Sequence, residues 1–136
     1  MFAIVDIETT GSQPSANGIT EIAIIIHDGQ REIERFGTLI NPERPIPEFI
    51  TRMTGITNRM VANAPKFFEV AKKIVELTDG KIFVAHNVSF DYNFVRAAFR
   101  DLGFDFNRKT LCTVKLSRKF LPGYKSYSLG NLSRSQ

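Results

Sequence analysis

The sequence holds one cysteine, Cys112, and no tryptophan. A lone cysteine excludes a disulfide framework within the chain and fits a reducing compartment. Between the apolar neighbours of TLCTVKL, Cys112 reads as a small buried side chain rather than a reactive thiol. No stretch nears the roughly 20 apolar residues of a membrane span. Asp6 and Glu8 interrupt the first apolar run, so it does not read as a secretory leader. The expected setting is cytoplasmic, with no membrane partner. Repeats, low-complexity tracts and linkers are absent too. Beyond residue 110 there is no His, Asp or Glu.

What is present is ordinary for a globular domain. The 136 residues suit one domain, with 43% hydrophobic and 24% charged side chains. Twelve phenylalanines read as core material. The net charge of +4 permits an anionic partner such as nucleic acid but does not require one.

Residues 2–8, 19–26 and roughly 32–40 read as three strands. The second and third are joined by His27-Asp28-Gly29-Gln30, where Asp-Gly between extended runs signals a hairpin. NPERPIPEFI has three prolines and reads as a loop; TRMTGITNRMVANAP reads as a short helix or irregular segment. After Pro65, residues Phe67, Phe68, Val70, Ala71, Ile74, Val75 and Leu77 recur at helical spacing up to Asp79-Gly80. KIFVA is a short buried strand. A helix follows, with Phe90, Phe94, Val95, Ala98, Phe99 and Leu102 on one stripe and Gly103 as its stop. KTLCTVKLSRKFLP predicts a strand and then a helix, and a further helix signal begins at Ser128. A meander followed by alternation predicts an α/β layered fold with a mixed sheet.

The first strand carries two acids where a core strand should be apolar. Side chains alternate along a strand, so Asp6 and Glu8 share a face, about 6.6 Å apart along the chain. Bare burial of the two would cost several kcal/mol each. A hard divalent cation such as Mg²⁺ or Mn²⁺ removes that cost. The acids could equally mark where the strand leaves the core for solvent, and spacing alone does not decide. Thr9-Thr10-Gly11 follows, offering hydroxyls and a close backbone approach to a phosphate or sugar. Asp91, in HNVSFD after the fourth strand, falls near a helix start beside a strand end, where ligand crevices form. It either completes a cluster of three carboxylates or simply complements the helix dipole.

VDIETTG, Met53-Thr54-Gly55-Ile56-Thr57 and HNVSFD, in that order and spread along the chain, resemble the DEDD exonuclease superfamily. The resemblance is greatest to its proofreading branch, the epsilon subunit of bacterial DNA polymerase III. It implies a ribonuclease H-like, five-stranded mixed sheet flanked by helices. It implies 3′–5′ hydrolysis of phosphodiester bonds with two divalent cations, Mg²⁺ or Mn²⁺. Asp6, Glu8 and Asp91 match the catalytic, metal-holding acids. Thr9, Thr10, Gly11, Thr54, Ile56 and Phe90 match positions along the terminal nucleotide. Without the family, Ile56 and Phe90 read as plain core. The implied partner is a single-stranded or frayed DNA 3′ end, with a replicative polymerase or a further nuclease domain as associated machinery.

The family also uses a third motif with a general-base His and a fourth Asp. The absence of His, Asp and Glu beyond residue 110 leaves that motif out. His86 belongs to the second motif and His27 to a turn, so neither substitutes for it. The expectation is one exonuclease domain over 1–136, incomplete at its C-terminus and lacking the last helix. Such a domain would be weak or inactive alone, with an apolar face exposed for dimerisation. Two other functions fit. One is an exoribonuclease of the same superfamily. The other is a non-catalytic nucleic-acid-binding fragment, with Lys109, Lys115, Arg118, Lys119 and Lys125 as a basic flank or merely a solvated face.

Overall fold

The computed structural model describes residues 1–112. Five strands form one sheet: β1 (Phe2–Thr9), β2 (Ile19–His27), β3 (Glu32–Leu39), β4 (Ile82–Ala85) and β5 (Thr110–Cys112), in the order β3-β2-β1-β4-β5. β1, β2 and β3 are an antiparallel meander, whereas β4 runs parallel to β1 and β5 parallel to β4. The sheet is therefore mixed, as the sequence predicts. The expected helices over 113–121 and from Ser128, and the basic residues Lys115 to Lys125, lie outside the described residues.

The hairpin turn closes as its chemistry predicts. The Asp28 carboxylate accepts from the N–H groups of Gln30 and Arg31, at 2.8 and 2.9 Å. Gly29 sits at φ +102, a conformation that a side chain would strain. β3 is the exposed edge of the sheet, carrying Glu32, Glu34 and Arg35, charges that discourage edge pairing.

β1 alternates strictly between half-buried and buried positions. Its buried side, Ala3, Val5 and Ile7, joins Ile22, Ile24 and Ile26 of β2 and Phe83 of β4 in one core. Two helices cover that face: α3 (Phe67–Thr78) with Ile74 and Leu77, and α4 (Val88–Asp101) with Phe94, Val95 and Phe99. Aromatic rings link the layers: Phe67 meets Phe99 edge-on at 5.0 Å, and Phe99 stacks on Phe106 at 4.7 Å. Arg108 fastens the far end. Its guanidinium donates to Thr78 Oγ1 and the Val75 carbonyl and lies 4.4 Å from the Phe106 ring centre.

Three expectations are corrected. Phenylalanine is not all core: Phe49, Phe68 and Phe104 are exposed. Leu102 lies past the end of α4 and is exposed as well. The proline-rich segment is not loop to its end, because α1 (Glu48–Thr54) begins directly after Pro47, and α2 (Asn58–Val61) follows. The two short helices rest on their own small core of Ile46, Ile56 and Val61, packed against Leu39 and Ile50.

Candidate active site

Asp6 and Glu8 project from the face of β1 opposite the core, as their spacing predicts, and both are half-buried. The ladder between β1 and β4 ends at Ile4↔Val84, and β4 itself ends at Ala85. Past that point β1 has an open edge. The chain leaves β4, turns through His86 and Asn87, and starts α4 there. This brings Asp91, in the first turn of α4, against β1.

Asp91 is 7% exposed, an unusual position for a carboxyl group. Its carboxyl group accepts from the Ile7 backbone N–H, between the two strand acids, and is also faced by its own N–H, which donates to the Asn87 carbonyl at 3.1 Å. Both N–H groups favour the charged form but are outweighed. Burial first, then the negative charge of Asp6 and more weakly that of Glu8, push the Asp91 pKa up to about 7. Asp91 thus feels both strand acids electrostatically. Among the described residues, no three His, Cys, Asp or Glu side chains close around a single point as an ion's ligands would.

A fourth acid lies beside them. Glu21 of β2 pairs directly with Glu8 across the strands, and Ala23 pairs with Asp6. In turn Leu39 of β3 pairs with Glu21 and Gly37 with Ala23. Like charges opposite each other in a sheet are destabilising. Sequence reasoning missed Glu21, although the signal was present: a lone Glu interrupts the apolar run of β2 much as Asp6 interrupts β1.

The loop after Glu8 is braced from within. Thr9 Oγ1 donates to the Gly11 carbonyl at 2.7 Å. Thr10, fully buried, donates to Asn17 Oδ1 at 2.8 Å and accepts from the Gly18 N–H at 3.1 Å. A Cβ on Gly11 would stand 2.5 Å from Asn17 Oδ1, so only glycine lets the two sides of the loop meet. What these hydroxyls supply in this structure is a fixed loop, and Asn17 and Gly18 are the partners that sequence reasoning did not name.

The remaining site positions are distributed around this floor. Thr54 Oγ1 donates to the Ile50 carbonyl and accepts from the Ile56 N–H, pinning the end of α1. Ile56 is buried in the small core of the α1–α2 unit. Phe90 is half-buried one residue before Asp91, its ring 5.0 Å from that of Phe94. His27 Nδ1 accepts from the Gly29 N–H within the hairpin turn, and the His86 carbonyl accepts from Cys112 Sγ.

A meander continued by parallel strands, with carboxylates gathered where β1 and α4 meet, defines the ribonuclease H-like exonuclease class. The RNase_T exonuclease family model matches residues 3–136, and the chain belongs to that family. It is 42% identical over 134 residues to the 3′-5′ exonuclease DinG of Bacillus subtilis, covering 97% of this chain but 14% of that protein. It is 37% identical over 132 residues to the PolC-type DNA polymerase III of Caldanaerobacter subterraneus, of which it spans 9%. Among solved structures, exonuclease X in complex with 5′ overhanging duplex DNA superposes with a TM-score of 0.70 at 32% identity, over 99% of this chain and 72% of that one. E. coli exonuclease I in complex with an oligonucleotide has the same fold, with a TM-score of 0.77 at 18% identity.

Proposed function

We propose that this chain is a metal-dependent 3′–5′ exonuclease domain acting on DNA, with Asp6, Glu8 and Asp91 as its catalytic acids. The observation that carries this is the burial of Asp91 beside two further carboxylates. Such an arrangement is costly unless something positive joins it. The donor set is entirely carboxylate oxygen, which suits Mg²⁺ or Mn²⁺ rather than softer ions. Asp6, Glu8 and Asp91 would hold two such ions, which when bound supply an activated water and neutralise charge at the leaving oxygen.

The chain's own residues do the rest. The Ile7 N–H fixes the Asp91 carboxyl in place, and the Thr9–Gly11 loop, braced by Asn17, gives the terminal nucleotide a rigid edge. Phe90, half-buried beside Phe94, flanks that nucleotide, while Ile56, pinned by Thr54, is buried in the small core and stands behind the surface rather than on it. The DNA preference is supported by the relatives, one named a 3′-5′ exonuclease and one a DNA polymerase III, and by the DNA-bound exonuclease X. A replicative polymerase as partner and a cytoplasmic setting go with the same relatives.

A 3′-labelled single-stranded oligonucleotide incubated with Mn²⁺ tests this. The chain should release labelled mononucleotide, alone or when extended by a segment supplying the third motif, and Asp6→Ala should abolish release. Binding without cleavage by both forms would contradict it.

A further inference from the structure

Glu21 shares the floor of the site and has no cation beside it. Glu32, Glu34, Glu43, Glu48 and Asp105 each pair with a Lys or Arg at the surface. Glu21 is half-buried, and among the described residues its carboxylate has neither an ion pair nor a hydrogen bond. It also stands directly opposite Glu8, with the Cβ atoms about 5 Å apart by strand geometry. A charge that is partly desolvated, unpaired and set against a like charge destabilises the fold that carries it.

Its placement is specific. The β1–β2 ladder slips by one residue after Glu8, so that Thr9 pairs with Ile19 and Thr20 is left over as a bulge immediately before Glu21. Bulges re-aim the side chains beside them. The Thr20 carbonyl accepts from the Ile40 N–H at 2.8 Å, but the Thr20 hydroxyl is buried without a hydrogen-bond partner. β2 lies between β1 and β3, so the Glu21 main chain is fixed from both sides. One row along, Asp6 is followed across the sheet by Ala23 and then by exposed Gly37. A Cβ at Gly37 would meet nothing nearer than the Ile22 carbonyl, at 3.8 Å. The sheet is therefore low beside the acids, with room above it for water.

Building on the metal-dependent nuclease reading, we propose that Glu21 is a positioning residue of the cation site. Its carboxylate accepts hydrogen bonds from water carried by the cation, while Asp6, Glu8 and Asp91 supply the direct ligands. Mg²⁺ sheds water reluctantly and keeps several molecules as ligands, each with protons to donate. An ionised carboxylate only accepts, and Glu21 has its acceptor capacity unused.

Mn²⁺ titration at pH 8, read from the electron paramagnetic resonance signal of the free ion, tests this without reference to cleavage. Glu21→Gln keeps the shape of the side chain, loses its charge, and should weaken Mn²⁺ binding about 10–100-fold. Glu21→Asp keeps the charge on a shorter arm and should recover only part of that loss. Glu76→Gln removes an equal charge from an exposed position on α3 and should leave the affinity unchanged. Water-proton relaxation should report the same number of waters bound directly to Mn²⁺ in Glu21→Gln as in the parent. A melting temperature in EDTA at or above that of the parent confirms that the variant folds. Mn²⁺ bound by Glu21→Gln as tightly as by the parent, or more tightly, overturns the proposal and leaves Glu21 a repulsive charge alone. Full recovery by Glu21→Asp or an equal loss in Glu76→Gln overturns it too, since position would then not matter. An additional bound water in Glu21→Gln also overturns it, by making Glu21 a direct ligand. A parent that binds no Mn²⁺ overturns the metal reading itself, and this inference with it.

Discussion

Replacing Asp91 by Asn should stabilise the metal-free protein, although Asp91 is one of the acids proposed to hold the metal. Its carboxyl group titrates at about 7 in the fold, against 3.8 when unperturbed, because burial and the neighbouring Asp6 and Glu8 oppose its charge. A carboxyl whose folded pKa is raised binds its proton more tightly in the folded state than in the unfolded one. Its contribution is therefore neutral below about pH 4, becomes destabilising as pH rises to about 7, and is constant above that. About three pKa units correspond to about 4 kcal/mol at pH 8. Asparagine is uncharged throughout, and its Oδ1 can still accept from the Ile7 N–H. In EDTA at pH 8, Asp91→Asn should raise the urea midpoint, and the melting temperature by on the order of 10 °C. At pH 4.5 the difference should shrink to about 1 kcal/mol. Added Mg²⁺ at pH 8 should narrow the gap by stabilising the parent more than the variant. A variant less stable than its parent at pH 8 in EDTA, or a difference independent of pH, would refute the reasoning.

Further outcomes follow from the same geometry. Glu21→Gln removes a like charge opposite Glu8 and should stabilise the metal-free protein by about 0.2–1 kcal/mol, read from urea denaturation in EDTA. Gly11→Ala should cost about 1–3 kcal/mol by driving Asn17 off Thr10. Adding Asn17→Ala should cost less than the two single changes together, which a double-mutant cycle would show. Arg108→Ala removes the hydrogen bonds to Thr78 Oγ1 and the Val75 carbonyl and the contact with the Phe106 ring, and should lower stability by about 1–2 kcal/mol, with Arg108→Lys restoring only part of it. Thermal melts of the three proteins would rank them.

The parts of the fold legible in the sequence are those set by local periodicity. The Asp28-Gly29 turn fixes the β2–β3 hairpin, and the apolar spacing of residues 67–78 and 88–101 finds both covering helices. Asp6 and Glu8 share a face because strand alternation demands it. The nearness of Asp91 depends on something less visible: β4 is shorter than the strand beside it, which frees the Ile7 N–H. Glu21 was missed because its place opposite Glu8 follows from inter-strand register, not from its own neighbours. α1 was obscured by its prolines, since Pro47 both ends a loop and precedes a helix. The exposure of Phe49 and Phe68 shows the limit of composition, which counts apolar side chains without saying which of them face the core.

The most direct test of the account is calorimetric titration of Mn²⁺ into the chain at pH 6, in two buffers of different ionisation enthalpy. At that pH Asp91 holds its proton for most of the time. If Asp6, Glu8 and Asp91 share a cation site, binding must displace that proton, and close to one proton should be released per site filled. Asp91→Asn should bind more weakly and release none. Absence of Mn²⁺ binding at millimolar concentration, or binding by Asp91→Asn equal to that of the parent, would contradict the claim that these three acids form a metal site.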